Sequence, residues 1–144
     1  MALRTKARQL LAQYWEEPGA RLLHALRLTP NAVTLLGLAL TAVAAYLAAQ
    51  DVFFIAGVVY LVASIWDMLD GALARLTDRA TRFGAALDSA ADRLGEALLL
   101  LGLLVFYVDR GNKTGVILAF LALVASYMVS YLRARGEGLG ITMK

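Results

Sequence analysis

The sequence has no cysteine, one histidine and two prolines in 144 residues. Without cysteine there is neither a disulfide framework nor a thiolate metal site, and with His24 alone the usual His and Cys zinc ligands are excluded. Charge is scarce as well: 17% of residues are charged, below the roughly 25% usual in soluble domains, while 60% are hydrophobic. No small-residue cleavage pattern follows the first apolar run, so a removable signal peptide is not expected. The net charge of +3 is too small to suggest a nucleic-acid partner.

What the chain does have is four long apolar runs, at 31–50, 52–74, 83–108 and 114–132. Each is near the roughly 20 residues that a helix needs to cross a bilayer. Barrel strands would be about 10 residues long, and an open sheet would leave backbone groups unsatisfied in lipid. The predicted fold is therefore all-α: a polytopic membrane bundle of four transmembrane helices preceded by interfacial amphipathic helices. Residues 1–28 read as the interfacial segment and 29–144 as one membrane domain.

Lysine and arginine set the orientation. Arg4, Lys6, Arg8, Arg21 and Arg27 precede the first run, Arg75, Arg79 and Arg82 lie between the second and third, and Arg133, Arg135 and Lys144 close the chain. Only Arg110 and Lys113 lie on the other side. Eleven against two places both termini and the loop after the second run in the cytoplasm. Within residues 1–28, Pro18 and Gly19 separate two short helices. Leu3, Ala7, Leu10, Leu11, Tyr14 and Trp15 recur opposite Arg4, Lys6 and Arg8, as in a helix lying on an anionic membrane surface. Arg21, His24 and Arg27 share the interfacial face of the second.

Against this apolar background stand four carboxylates. Asp67 and Asp70 are three apart and Asp88 and Asp92 four apart, so each pair shares a helical face. The second run reaches Asp67 after about 22 Å and the third reaches Asp88 after about 8 Å from the opposite side, at 1.5 Å per residue. In a core roughly 30 Å thick these depths coincide. Two antiparallel neighbours thus present four acids to one volume near the cytoplasmic boundary. Such charges repel in a low dielectric, so either several stay protonated or cations hold them. Oxygen ligands suit Mg²⁺ or Mn²⁺, two ions for four carboxylates. Gly71, Gly84 and Ala74 leave room beside the acids for a bulky ligand, and Arg75 suits a phosphate oxygen. Upstream, Thr29 and Pro30 are ordinary helix-opening residues, and Thr34 and Gly37 leave a small polar strip one turn apart.

The pattern Asp67, Asp70, Gly71, Ala74, Arg75, Gly84, Asp88, Asp92 resembles, without a departure, the signature of the CDP-alcohol phosphatidyltransferases. Eight fixed positions would recur by chance at roughly 10⁻¹⁰ per start site on background frequencies. The resemblance implies an enzyme that uses Mg²⁺ or Mn²⁺ to move a phosphatidyl group from CDP-diacylglycerol, or a related CDP-alcohol, to a hydroxyl acceptor, releasing CMP. It implies Asp67, Asp70, Asp88 and Asp92 as metal ligands, with Asp92 also the general base. Thr34, Asp70, Gly71, Ala74, Arg75 and Gly84 would line the CDP site. The stretch from Ser130 to Glu137 resembles the prokaryotic phosphatidylinositol phosphate synthase branch, in which Arg133 and Arg135 would meet inositol phosphate. Those two arginines also fit plain positive-inside anchors, and glycerol 3-phosphate is the alternative acceptor. The family has six membrane helices, so a sequence ending after the fourth reads as a partial one. A homodimer is implied by the family, and Ala85, Ala86, Ala90 and Ala91 would permit close helix contact.

Three further expectations follow from the residues. Arg93 and Glu96, three apart on the third run, would pair with each other. Asp78 and Arg79 belong to a solvated turn, and Tyr60, Trp66, Tyr107, Tyr127 and Tyr131 are interface or packing aromatics. The rival class is an ion- or proton-handling membrane transporter, which accounts for the four acids but not for the glycine, alanine and arginine at fixed spacings.

Overall fold

A computed structural model describes residues 16–141, so the amphipathic helix expected before residue 16 lies outside the described residues. Five helices follow one another: α1 Glu17–Ala25, α2 Pro30–Ala49, α3 Phe53–Leu76, α4 Arg82–Asp109 and α5 Lys113–Gly138. Among the described residues there is no strand, as expected. The helix starts are written locally. Thr29 accepts from the Ala32 amide at 3.3 Å with Pro30 in the first turn, Thr81 accepts from Gly84 at 2.9 Å, and Asn112 accepts from Gly115 at 2.9 Å. Arg27, Asp51, Asp78 and Gly111 take left-handed conformations in the four turns, which short polar side chains and glycine tolerate best.

By length and composition, α2, α3 and α5 can cross a membrane. The expected third span is α4, which at 28 residues is the longest helix. It is not apolar enough to qualify by composition, because Asp88, Asp92, Arg93 and Glu96 crowd its first half. The charges that define the site thus remove α4 from the set of plain spans. α5 continues six residues past the expected end at 132.

The packing adds a feature that residue spacing does not show. α3 and α4 are neighbours across a gap: no Cα of one lies within 8 Å of a Cα of the other, although their carboxylates meet across it. Instead α2 packs against both, α4 carries α5, and α1 lies on α3. α2 serves as a spine because its buried positions are small, namely Thr34, Gly37, Thr41, Ala44, Ala45 and Ala48. Small residues let helices approach closely where lipid offers no hydrophobic drive to pack. A Cβ on Gly37 would stand 3.8 Å from the Ala63 carbonyl oxygen of α3, and one on Gly95 would stand 3.4 Å from Thr41 Cγ2. A Cβ on Gly102 would collide with the Ala45 carbonyl. Ala91 is buried within the bundle, so only Ala85, Ala86 and Ala90 of the expected small-residue face remain exposed.

The best-buried apolar cluster joins α1 to this frame. Ala20 and Leu23 pack with Val33 of α2 and with Leu69, Ala72 and Leu73 of α3, covered by Leu28 and Trp66. Arg21 and His24 of α1 are exposed, and so is Arg27, which lies beyond its end in a left-handed turn. At the opposite end Asp51 pairs with Arg110, whose guanidinium lies 4.5 Å over Phe106, and Phe106 meets Phe53 edge-to-face at 4.8 Å.

Gly102→Ala is expected to lower stability by about 1–3 kcal/mol, the usual cost of overpacking. The Gly57→Ala control, where an added Cβ meets nothing within 4 Å, should leave stability unchanged or slightly raised. Thermal unfolding in detergent checks both, and equal midpoints would show that α2 and α4 are not in close backbone contact.

Candidate active site

α3 brings Asp67 and Asp70 to the gap that α2 keeps open, and α4 brings Asp88 from across it. One carboxylate oxygen from each of the three lies within 4.8 Å of the others, with Asp70 buried and the other two half-buried. Trans oxygens around a Mg²⁺ ion stand about 4.2 Å apart at the usual bond lengths. The donor set is all oxygen and close to that span, so it fits a hard divalent cation such as Mg²⁺ or Mn²⁺. Asp92 is not in this group; it is exposed one turn further along α4.

No described lysine or arginine neutralises these acids. The four ion pairs among the described residues are Arg21 with Glu17, Arg75 with Glu16, Arg93 with Glu96, and Arg110 with Asp51. The one strong polar partner is Thr34, whose hydroxyl stands 2.5 Å from Asp70 Oδ2 and 3.2 Å from the Pro30 carbonyl. A hydroxyl has one proton, and the shorter, charge-assisted bond to the carboxylate claims it. The Thr34–Gly37 strip of α2 is therefore both a packing surface and a support for an acid.

Three cavities meet at the acids. The first, about 220 Å³, is lined by Thr34, Asp70, Gly71, Ala74, Arg75 and Gly84, all six residues expected around CDP, and by Asp88. Of its glycines Gly84 is the tighter: a Cβ there would stand 3.1 Å from Thr81 Oγ1 and 3.4 Å from Asn31 Oδ1, whereas one on Gly71 would make ordinary contact, 3.4 Å, with Arg75 Nη1. The second cavity, about 330 Å³, lies between α2, α3 and α4 and exposes Asp67 and Asp92 beside Thr41, Ser64 and Glu96. The third, about 560 Å³, opens between α4 and α5, where Asp92 and Ser89 face Ser130 and Arg133.

Comparison with known proteins fits this geometry. The CDP-alcohol phosphatidyltransferase family matches residues 27–138. The chain belongs to this family of enzymes. It is 39% identical over 136 residues to the archaetidylinositol phosphate synthase of Pyrococcus horikoshii, covering 94% of this chain and 69% of that one. It is 38% identical over 136 residues to the phosphatidylinositol phosphate synthase of Corynebacterium glutamicum, covering 92% of this chain and 62% of that one. The phosphatidylinositol phosphate synthase of Mycobacterium tuberculosis with CDP-DAG bound superposes with a TM-score of 0.80 at 36% identity, over 87% of this chain and 64% of that one. The same enzyme in complex with manganese and citrate gives a TM-score of 0.79. The chain thus spans about two thirds of the length of these family members.

Beyond the family signature, the structure adds residues that the sequence reading passed over. Arg79, read as a turn residue, lines the first cavity with Thr81, and Tyr60, read as an interface or packing aromatic, lines the second. Ser89 and Ser126 line the third. Their signal was helical spacing, since Ser126, Ser130 and Arg133 share one face of α5. Arg93 and Glu96 pair as expected, at 2.6 Å. Arg133 reaches the third cavity, whereas Arg135, two residues on, is exposed and lines none of the three.

Thr34→Val, nearly isosteric, is expected to weaken Mn²⁺ binding by roughly 10-fold or more, the usual effect of removing a residue that orients a metal ligand. Thr34→Ser should retain most of the affinity. Free Mn²⁺ measured by electron paramagnetic resonance checks this, and equal affinities for Val and Ser would remove the supporting role.

Proposed function

We propose that this chain transfers the phosphatidyl group of CDP-diacylglycerol, or of a related CDP-alcohol, to the hydroxyl of inositol phosphate, with release of CMP. The observation that carries the reading is the meeting of three surfaces: a carboxylate cluster fit for Mg²⁺ or Mn²⁺, a cavity on one side lined by every signature residue assigned to CDP, and a polar cavity on the other holding Asp92 and Arg133. The relatives named for inositol phosphate products support the choice of acceptor. A transporter would need the acids but not the glycine, alanine and arginine that line the cavity beside them.

In this reading Asp67, Asp70, Asp88 and Asp92 hold two divalent cations. Gly71, Ala74 and Gly84 let the nucleotide approach the backbone, and Arg75 presents donors to its phosphates. When bound, the cations offset the charge of the pyrophosphate and stabilise the departing CMP. Asp92 takes the proton from the acceptor hydroxyl as that oxygen bonds to the phosphorus bearing the diacylglycerol. The bond from this phosphorus to the CMP oxygen breaks, and CMP leaves with the electron pair. Arg133 neutralises the acceptor's own phosphate. Residues 29–144 form the catalytic membrane domain and residues 1–28 its interfacial anchor. The site faces the cytoplasm of the cell membrane, all of α2–α5 span the bilayer, and two copies associate through exposed small residues.

CMP release from CDP-diacylglycerol by the purified chain in lipid bilayers tests the reading, with Mg²⁺, Mn²⁺ or chelator, against inositol phosphate, glycerol 3-phosphate, inositol and serine. Metal-dependent release with inositol phosphate is expected. Release with glycerol 3-phosphate alone would move the acceptor assignment, and failure to bind CDP-diacylglycerol at all would overturn the function. Asp92→Asn should lower turnover by at least about 10²-fold, in the range of lost general-base catalysis, with CDP-diacylglycerol binding retained. Full turnover in that variant would remove Asp92 as the base.

A further inference from the structure

The third cavity is walled by α4 and α5, and among the described helices α5 packs against α4 alone. Among the described helices, this seam is the contact that orients α5 about its own axis. At the end remote from the acids the seam is apolar, with Gly115 beneath the Tyr107 ring, where an added Cβ would stand 2.5 Å from ring carbons. Nearer the acids it is polar and closed on itself. Arg93 Nη1 donates to Glu96 Oε2 at 2.6 Å and to Ser126 Oγ at 3.2 Å, and Ser126 Oγ donates to Glu96 Oε1 at 2.5 Å. The Tyr127 hydroxyl donates to the Arg93 carbonyl at 3.1 Å.

Each member of the triangle Arg93, Glu96 and Ser126 thus meets the other two. Contacts between apolar helix faces in lipid are not directional, so they resist sliding and rotation weakly, whereas hydrogen bonds in an apolar medium are strong and directional. Ser126 and Arg133 stand seven residues apart, two turns on the same face of α5. Fixing Ser126 against α4 therefore fixes the direction in which Arg133 points. The triangle has a second effect on α4 itself. Glu96 takes the charge of Arg93, so the arginine next to Asp92 in sequence is not drawn onto that carboxylate, and Asp92 stays open to both cavities that it lines.

We propose that Arg93, Glu96 and Ser126 form a register clasp: positioning residues that turn Arg133 toward Asp92 and so set where an anionic hydroxyl acceptor meets the base. This rests on the acceptor reading of the third cavity given above. None of its three members lines the cavity formed by the CDP residues, whereas Arg93 and Ser126 line the third cavity and Arg93 and Glu96 the second.

The test takes advantage of the absence of cysteine. Spin labels on Leu101→Cys and Leu132→Cys, exposed positions of α4 and α5, report the distance distribution between the two helices in bilayers. Glu96→Gln and Ser126→Ala are expected to broaden that distribution. In the unlabelled chain the same variants should raise the KM for the acceptor by about 3- to 10-fold and leave the KM for CDP-diacylglycerol within about twofold, a split that general loss of folding would not produce. An unchanged distribution in both variants overturns the clasp, and so does a parallel rise of both KM values. Arg133→Ala separates the two levels of the argument. If it leaves the acceptor KM unchanged while the clasp variants still broaden the distribution, the acceptor reading of the cavity has failed, and with it the assignment of the clasp to acceptor placement.

Discussion

Three carboxylate oxygens held within 4.8 Å of one another, with no described lysine or arginine paired to them, are the constraint around which this protein is arranged. Like charges at that separation in a low dielectric repel by several kcal/mol unless protons or cations intervene. Two of the nearby arginines pair with other carboxylates, Arg75 with Glu16 at 2.9 Å and Arg93 with Glu96. A site so arranged keeps its negative charge available for an external cation. This is the electrostatic character that a metal-dependent phosphoryl-type transfer requires.

The same constraint explains the helix arrangement. If α3 and α4 packed face to face, their acids would be crushed together and the cavities lost. Placing the narrow α2 behind them lets both helices lean on a shared spine while the gap between them stays open. The narrowness of that spine is a property of its sequence, since threonine, glycine and alanine occupy its buried positions. Thr34 shows how little material the arrangement uses, as one hydroxyl serves the spine and steadies Asp70.

Much of this was legible in the residues. The apolar runs gave the helices, the spacings of Asp67, Asp70 and Asp88 gave a shared depth, and the six positions assigned to CDP line one cavity. The placement of Asp92 was less legible, because a four-residue spacing shows that two side chains share a face but not which of two cavities each one enters. The gap between α3 and α4 was not legible for a related reason. Depth along the bilayer normal follows from counting residues, whereas lateral distance depends on which helix fills the space between, and that is decided by small residues on α2 that look neutral in isolation. Arg133 and Arg135 illustrate the same limit. They are equivalent to a charge-counting rule, yet about 200° apart around a helix, so only one of them reaches the cavity.

The composition of α4 bears on how the chain enters the membrane. Each uncompensated Asp or Arg near the middle of a helix opposes insertion by roughly 2.5–3.5 kcal/mol, while each leucine favours it by only a few tenths. The apolar second half of α4, residues 97–108, cannot by itself offset the acids and arginine of the first half. α4 is therefore a poor candidate for insertion as a solitary helix. Its polar half is instead met by neighbours: α2 covers its glycine face, and Ser126 of α5 completes the polar triangle with Arg93 and Glu96. α2 precedes α4 in the chain, so the spine that separates the acids is already made when the charged helix is synthesised.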